Sequence, residues 1–219
     1  MRSFHLREEQ LKIGKDITIN ILATSICSVV LNFIVYPLFA RYFASEAYGM
    51  ILTALGIINI LFSSIGNSLN NIRLITNRKV GVANKNNPYN IIILISAVIG
   101  MIIGTTVIQC IYPLSVWTTT LIGIIIFIGI IRAYYVVTFR LQINYVRQLI
   151  SNIIVAAGYM MGILLIRTVE LWPLPFLLGE TFSLIYIYFH SDLFREGIKN
   201  KIDIDGITKS YLLLMAYIS

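Results

Sequence analysis

Charged residues in this chain fall in short clusters separated by long uncharged runs. No Asp, Glu, Lys or Arg occurs at 17–40, 47–72, 86–131 or 148–166. Each run holds at least one stretch of ~20 residues, the length a helix needs to cross the hydrocarbon core of a bilayer. The run 86–131 is long enough for two, folded at Tyr112-Pro113-Leu114-Ser115. Residues 171–190, LWPLPFLLGETFSLIYIYFH, add a further stretch with a single carboxylate, Glu180. The pattern predicts six membrane-crossing helices, near 17–39, 47–71, 89–111, 115–138, 145–166 and 171–190, and hence an all-α, polytopic helical membrane protein. After Lys209 the chain turns apolar again, with SYLLLMAYIS reading as the start of a seventh crossing. Ten helical residues rise ~15 Å, about half the hydrocarbon core. The expected organisation is a six-helix lobe over 1–190, a cytoplasmic inter-lobe loop over 191–209, and the truncated start of a seventh helix over 210–219. Such a chain is expected to be a fragment of a larger protein or the product of a truncated reading frame.

Composition points the same way. Hydrophobic residues make up 58% and charged residues 12% of the chain, and mean hydropathy is +0.82; a soluble domain carries about a quarter charged residues. The basic start (Arg2, Arg7, Lys12, Lys15) before an apolar run resembles a signal peptide, but the run is too long for one and five more follow. Basic residues sort by side. Positions 2, 7, 12, 15, 73, 78, 79, 85, 132, 140, 147, 195, 199, 201 and 209 share one side, against Arg41 and Arg167 on the other. That asymmetry places the N-terminus in the cytoplasm. Trp117 and Trp172 begin crossings at the opposite face, where an outer aromatic belt is expected. The net charge of +7 then reflects topology and anionic lipid headgroups, and no nucleic-acid partner is expected. Cys27 and Cys110 fall inside crossings without CxxC or His neighbours, so neither a disulfide nor a metal or other cofactor is expected.

Polar residues inside the crossings are the candidates for function, because lipid tails solvate neither amides nor charges. At 100° per residue Arg140, Asn144, Arg147, Ser151, Gly158 and Gly162 fall within about 60° of one another, a narrow stripe on the fifth helix. Asn59, Ser63, Gly66, Asn70 and Arg73 fall within about 80° on the second. For Asn59, Asn70 and Asn144 a cavity-lining role stands beside interhelical hydrogen bonding; for Arg73, Arg140 and Arg147 it stands beside snorkelling to headgroups. Gly158-x-x-x-Gly162 and Gly100-x-x-x-Gly104 read as packing motifs. Arg132 lies about six residues from the centre of the fourth helix, ~9 Å by helical rise, as a cavity or ion-pair residue. Glu180, mid-way along the sixth, has three readings: a pair with an inward arginine, a proton or cation coupling site, or a protonated acid hydrogen-bonded to a neighbouring helix. Pro37 should kink or loosen the end of the first helix.

Three stretches carry a family resemblance. YPLFARYFASEAYGM (36–50), FRLQINYVRQLISNIIVAAGYMMGILL (139–165) and PFLLGETFSLIY (175–186) resemble the first-to-second, fifth and sixth crossings of bacterial polysaccharide flippases. These are the lipid-linked repeat-unit flippases of O-antigen and capsule assembly, within the multidrug/oligosaccharidyl-lipid/polysaccharide exporter superfamily. The resemblance implies two six-helix lobes around a central cavity with alternating access, in the bacterial cytoplasmic membrane. It implies a lipid-linked oligosaccharide as substrate, membrane lipids as surroundings, and a C-terminal lobe or a second copy as partner. Arginine's planar fork suits a diphosphate, and Arg132, Arg41 and Arg147 are expected to hold it. No G-x-x-x-x-G-K-S/T motif occurs, so energy is expected from an ion gradient, the membrane potential or consumption of product. An enzyme is not expected, because the longest loop is about 19 residues. A drug or metabolite exporter of the same superfamily and a non-transporting fragment stay open as alternatives.

Overall fold

The computed structural model describes residues 2–80, 87–166 and 168–191, and all regular structure among them is helical. The expected loop beyond Ser191, the start of a seventh helix at 210–219, and Arg167 lie outside the described residues. Among the described residues, five helical stretches are long and apolar enough to cross a membrane: Ile17–Tyr42, Ser45–Ile75, Tyr89–Ile111, Val116–Leu141 and Tyr145–Ile163. A further helix, Leu174–His190, carries Glu180 and has 17 residues, a rise of ~26 Å at the short end of what spans a bilayer. It begins later than the sequence pattern predicts because Val169–Leu171 forms a 3-10 turn that leads into Pro173.

Breaks within the long helices have local causes. Helix α1 (Arg2–Val30) continues through a π-helical turn, Leu31–Val35, into α2 (Tyr36–Tyr42). Pro37 has no N–H and its ring crowds the carbonyl four residues back, so the helix widens upstream, with the Tyr36 N–H donating to Leu31 O. The loosening expected at Pro37 is therefore a wide turn and not a sharp kink. Extended backbone at Phe43 and Ala44 leads into α3 (Ser45–Leu61), whose first turn carries Glu46, favourable at the positive end of the helix dipole. A second π-helical turn, Phe62–Asn67, joins α3 to α4 (Ser68–Val80). Helix α5 (Asn87–Ile111) and α6 (Val116–Tyr135) form a hairpin in which the Ser115 hydroxyl accepts the Thr118 N–H at 3.3 Å and caps α6.

Short α7 (Val137–Leu141) is followed by a tight reversal before α8 (Tyr145–Ile163). The Asn144 N–H donates to Phe139 O at 2.8 Å and the Ile143 N–H to Arg140 O at 3.3 Å, the bond pair of a Schellman motif. Its left-handed position, normally glycine, is Ile143 at φ 53°. A β-branched side chain there costs roughly 1–2 kcal/mol, so Ile143→Gly should raise the melting temperature in detergent by relieving about 1 kcal/mol. A lower melting temperature would show that Ile143 contributes through packing instead.

Helix α6 is the central element, packed against α5, the second π-turn and α9 (Leu174–His190), with Ile122, Ile125, Ile126, Ile130 and Tyr134 buried. Helix α8 lies between α1 and α9. Its contact with α9 is backbone to backbone. A Cβ at Gly158 would stand 2.5 Å from Gly179 Cα, and one at Gly162 would overlap the Pro175 backbone. Trp117 is 71% exposed, as a belt residue should be, but Trp172 is fully buried with its ring edge-on to Phe176. The belt position expected for Trp172 is thus corrected to a core position; the 3-10 turn folds it inward.

Candidate functional site

A largely buried ion pair links α6 and α9. Arg132 Nε donates to Glu180 Oε2 and its Nη2 donates to Oε1 at 3.3 Å, a two-pronged contact. Glu180 is 1% exposed and the Arg132 side chain 14%. Helix α8 completes the cluster. Tyr159 donates its hydroxyl to Glu180 Oε1 at 3.1 Å, and Arg132 Nη1 reaches Asn152 Oδ1 at 3.5 Å. Asn152 in turn donates to the Ala23 carbonyl of α1 at 2.6 Å, and Cys27 donates its thiol to the Asn152 carbonyl at 3.3 Å. Gly179 explains why Tyr159 can be there: the ring lies over it, where a Cβ would come within 2.6 Å, and the hydroxyl is thereby directed to the next residue's carboxylate. Four helices meet at one charge-balanced network in which both carboxylate oxygens accept bonds.

A narrow cleft runs to this carboxylate, lined among others by Leu31, Tyr36, Asn59, Phe62, Tyr159 and Glu180. Its free volume is about 20 Å³, room for about one water and far too little for a sugar ring. Among the described residues, no three His, Cys, Asp or Glu side chains gather closely enough to hold a metal ion.

The other sequence candidates divide among several places. Asn59 is exposed on α3 and faces the cleft. Asn70 is buried, donating to Ala133 O at 3.1 Å and accepting from Arg140 Nη1 at 2.9 Å. Arg73 is buried beside Tyr134, whose hydroxyl it meets at 2.5 Å, and over the Tyr89 ring. These residues make a second polar cluster between α4, α5, α6 and α7. Asn144 caps α8, accepting the Arg147 N–H at 3.2 Å, a role that needs no ligand. Arg147 Nη1 lies 3.5 Å from the His190 carbonyl at the end of α9. Arg41 is exposed in the last turn of α2.

Both stripes require correction. The π-turn at Phe62–Asn67 breaks the 100° repeat, so Asn59 and Ser63 are exposed while Gly66, Asn70 and Arg73 are buried. Arg140 belongs to α7 and is cut off from α8 by residues 142–144. Ser151, Gly158 and Gly162 do share a face, but it is the buried face against α9, where Ser151 and Ser183 share a hydrogen bond of 2.7 Å.

Sequence reasoning passed over Asn152 and Tyr159, and weighed Cys27 only as a disulfide or metal candidate. The signal for the first two was available, since residues seven apart on a helix lie about 20° from one another. Compared with family models, with curated proteins and with solved structures, the chain matches none.

Proposed function

We propose that this chain is a six-helix lobe of a flippase that carries polyprenyl-diphosphate-linked oligosaccharides across a bacterial cytoplasmic membrane, with its N-terminus in the cytoplasm. The observation that carries the proposal is the Arg132–Glu180 pair, which joins α6, part of a stretch long and apolar enough to cross a membrane, to the 17-residue α9, and is reached by a cleft on the Glu180 side. Ionisable groups at that depth mark substrate or ion pathways. The sequence resemblance supplies the substrate class. A guanidinium engages phosphate with the same planar fork it offers carboxylate. A diphosphate entering from the cleft side would replace Glu180 on Arg132, and the released carboxylate would take up a proton or cation, coupling entry of substrate to a gradient. The cleft as described is too small for substrate, so this conformation is closed at the pair.

Exposed polar residues on two other helices support a wet inner wall. Ser25, Ser28 and Asn32 of α1 and its π-turn, and Asn59, Ser63 and Asn67 of α3 and its π-turn, are exposed within stretches long enough to cross a membrane. Amides facing acyl chains are costly, so these faces suit a water-filled cavity or a second lobe. The same network favours a second reading. Because Asn152 and Tyr159 complete the bonding of the pair, it serves equally as a structural staple, with the transport route running along the polar faces of α1 and α3.

Expression in a strain deleted for its own repeat-unit flippase tests the proposal. Surface polysaccharide should return with the native protein and fail to return with Arg132→Gln at equal membrane levels; no return with the native protein would refute it. In the same cells an impermeant thiol reagent should label Tyr42→Cys and spare Asn71→Cys, and the reverse would overturn the orientation.

A further inference from the structure

The cleft that reaches Glu180 does not extend to its partner, although the two side chains touch. Ile125 lines the cleft, and Gly129 and Arg132 follow on the same face of α6. Helical geometry puts them within about 60° of one another, ~6 and ~10 Å further along the axis. The space above Gly129 is filled by the ring of Phe62, whose tip a Cβ at residue 129 would overlap. Phe62 also lines the cleft. Its ring therefore stands between the cleft at the level of Ile125 and the guanidinium one turn beyond Gly129.

We propose that Phe62 is a side-chain gate: seated in the notch at Gly129, it separates the cleft, which opens on the carboxylate, from the Arg132 guanidinium one turn further along α6. With the ring in place, a solute in the cleft meets only Glu180. With the ring withdrawn, it meets both halves of the ion pair and can exchange one for the other. The backbone suits such movement. Phe62 opens the π-helical turn, and its N–H is shared between the Ile58 and Asn59 carbonyls. A π-turn holds one residue more than the α-helical repeat needs, and such turns recur at functional sites. Gly66, at the other end of the turn, lets the backbone approach Ile130 O, where a Cβ would come within 2.9 Å. The turn is thus held against α6 through its backbone at Gly66, and at its other end, where it continues α3, through the ring of Phe62. The gate does not depend on what is transported.

The test reads the guanidinium directly. The purified 219-residue chain in detergent is treated with phenylglyoxal, and modification of Arg132 is followed by peptide mass spectrometry, with exposed Arg41 and buried Arg73 in the same digest as references. Removing an aromatic ring that covers ~150 Å² should speed Arg132 modification about tenfold in Phe62→Ala, with Arg41 and Arg73 unchanged. Gly129→Ala keeps the ring but denies it its seat, and should raise the rate by less; it decides the matter if Phe62→Ala does not fold. An unchanged Arg132 rate in the folded variants, or a rise matched at Arg73, overturns the gate.

Discussion

Glu180→Gln or Arg132→Gln alone should destabilise this protein by roughly 3–5 kcal/mol, the cost of leaving one buried charge without its partner. Glu180 is 1% exposed and the cleft beside it has room for about one water, so bulk solvent cannot replace the lost partner. Replacing both at once, as Arg132→Met with Glu180→Leu, removes both charges and the desolvation that each carries. What remains unpaired is the Tyr159 hydroxyl and one side of Asn152, at about 1–3 kcal/mol per buried group left unsatisfied. The double variant should therefore unfold well above either single one in a thermal melt in detergent, with a strongly non-additive cycle. Additive effects of the two substitutions would show that the pair is not coupled. The double variant also separates the two readings of the pair: stable and active, it is a staple; stable and inactive, the charges serve transport.

The second large effect lies between α8 and α9. Gly162→Ala puts a methyl into the Pro175 backbone and Gly158→Ala puts one against the Gly179 backbone. Neither neighbour can rotate away, so each substitution should cost roughly 1–3 kcal/mol, and the two together should separate the helices. Gly104→Ala should cost less, because its Cβ would meet the flexible ends of Ile126 and Leu61. Gly56→Ala meets nothing within 4 Å and should be neutral or stabilising by up to about 1 kcal/mol through helix propensity. Thermal melts of the four variants should rank in that order. Equal melting temperatures for Gly162→Ala and Gly56→Ala would contradict the close approach.

What was legible in the sequence follows from the physics that leaves the strongest mark on it. A bilayer demands ~20 uncharged residues per crossing, so the helical stretches stand out as charge-free runs. The same scarcity singles out Arg132, which closes the longest charge-free run, and Glu180, the single carboxylate of 171–190, and the structure brings them into contact. Register was not legible. Two π-turns each shift the helix by a residue, and a count at 100° per residue passes through them unaware. That is why the stripe from Asn59 to Arg73 splits into an exposed and a buried part. The break after Leu141 was hidden for a different reason: its left-handed position carries Ile143 where glycine or asparagine would announce a turn. Asn152, Tyr159 and Cys27 look alone like ordinary residues of a packed helix, and only the α9 carboxylate and the α6 guanidinium give them a task. Trp172 has the aromatic character of an interfacial anchor, and its burial is decided by the 3-10 turn before it.

Reconstitution tests the central claim most directly. The purified chain is placed in vesicles containing a fluorescent polyprenyl-diphosphate oligosaccharide, and a membrane-impermeant reductant bleaches the label in the outer leaflet. If the chain translocates this lipid, the protected inner pool should shrink as protein is added, and Arg132→Gln should restore protection while a labelled phospholipid stays protected throughout. A protected pool equal to that of protein-free vesicles, from protein that is folded and retains the Arg132–Glu180 contact, would contradict the assignment.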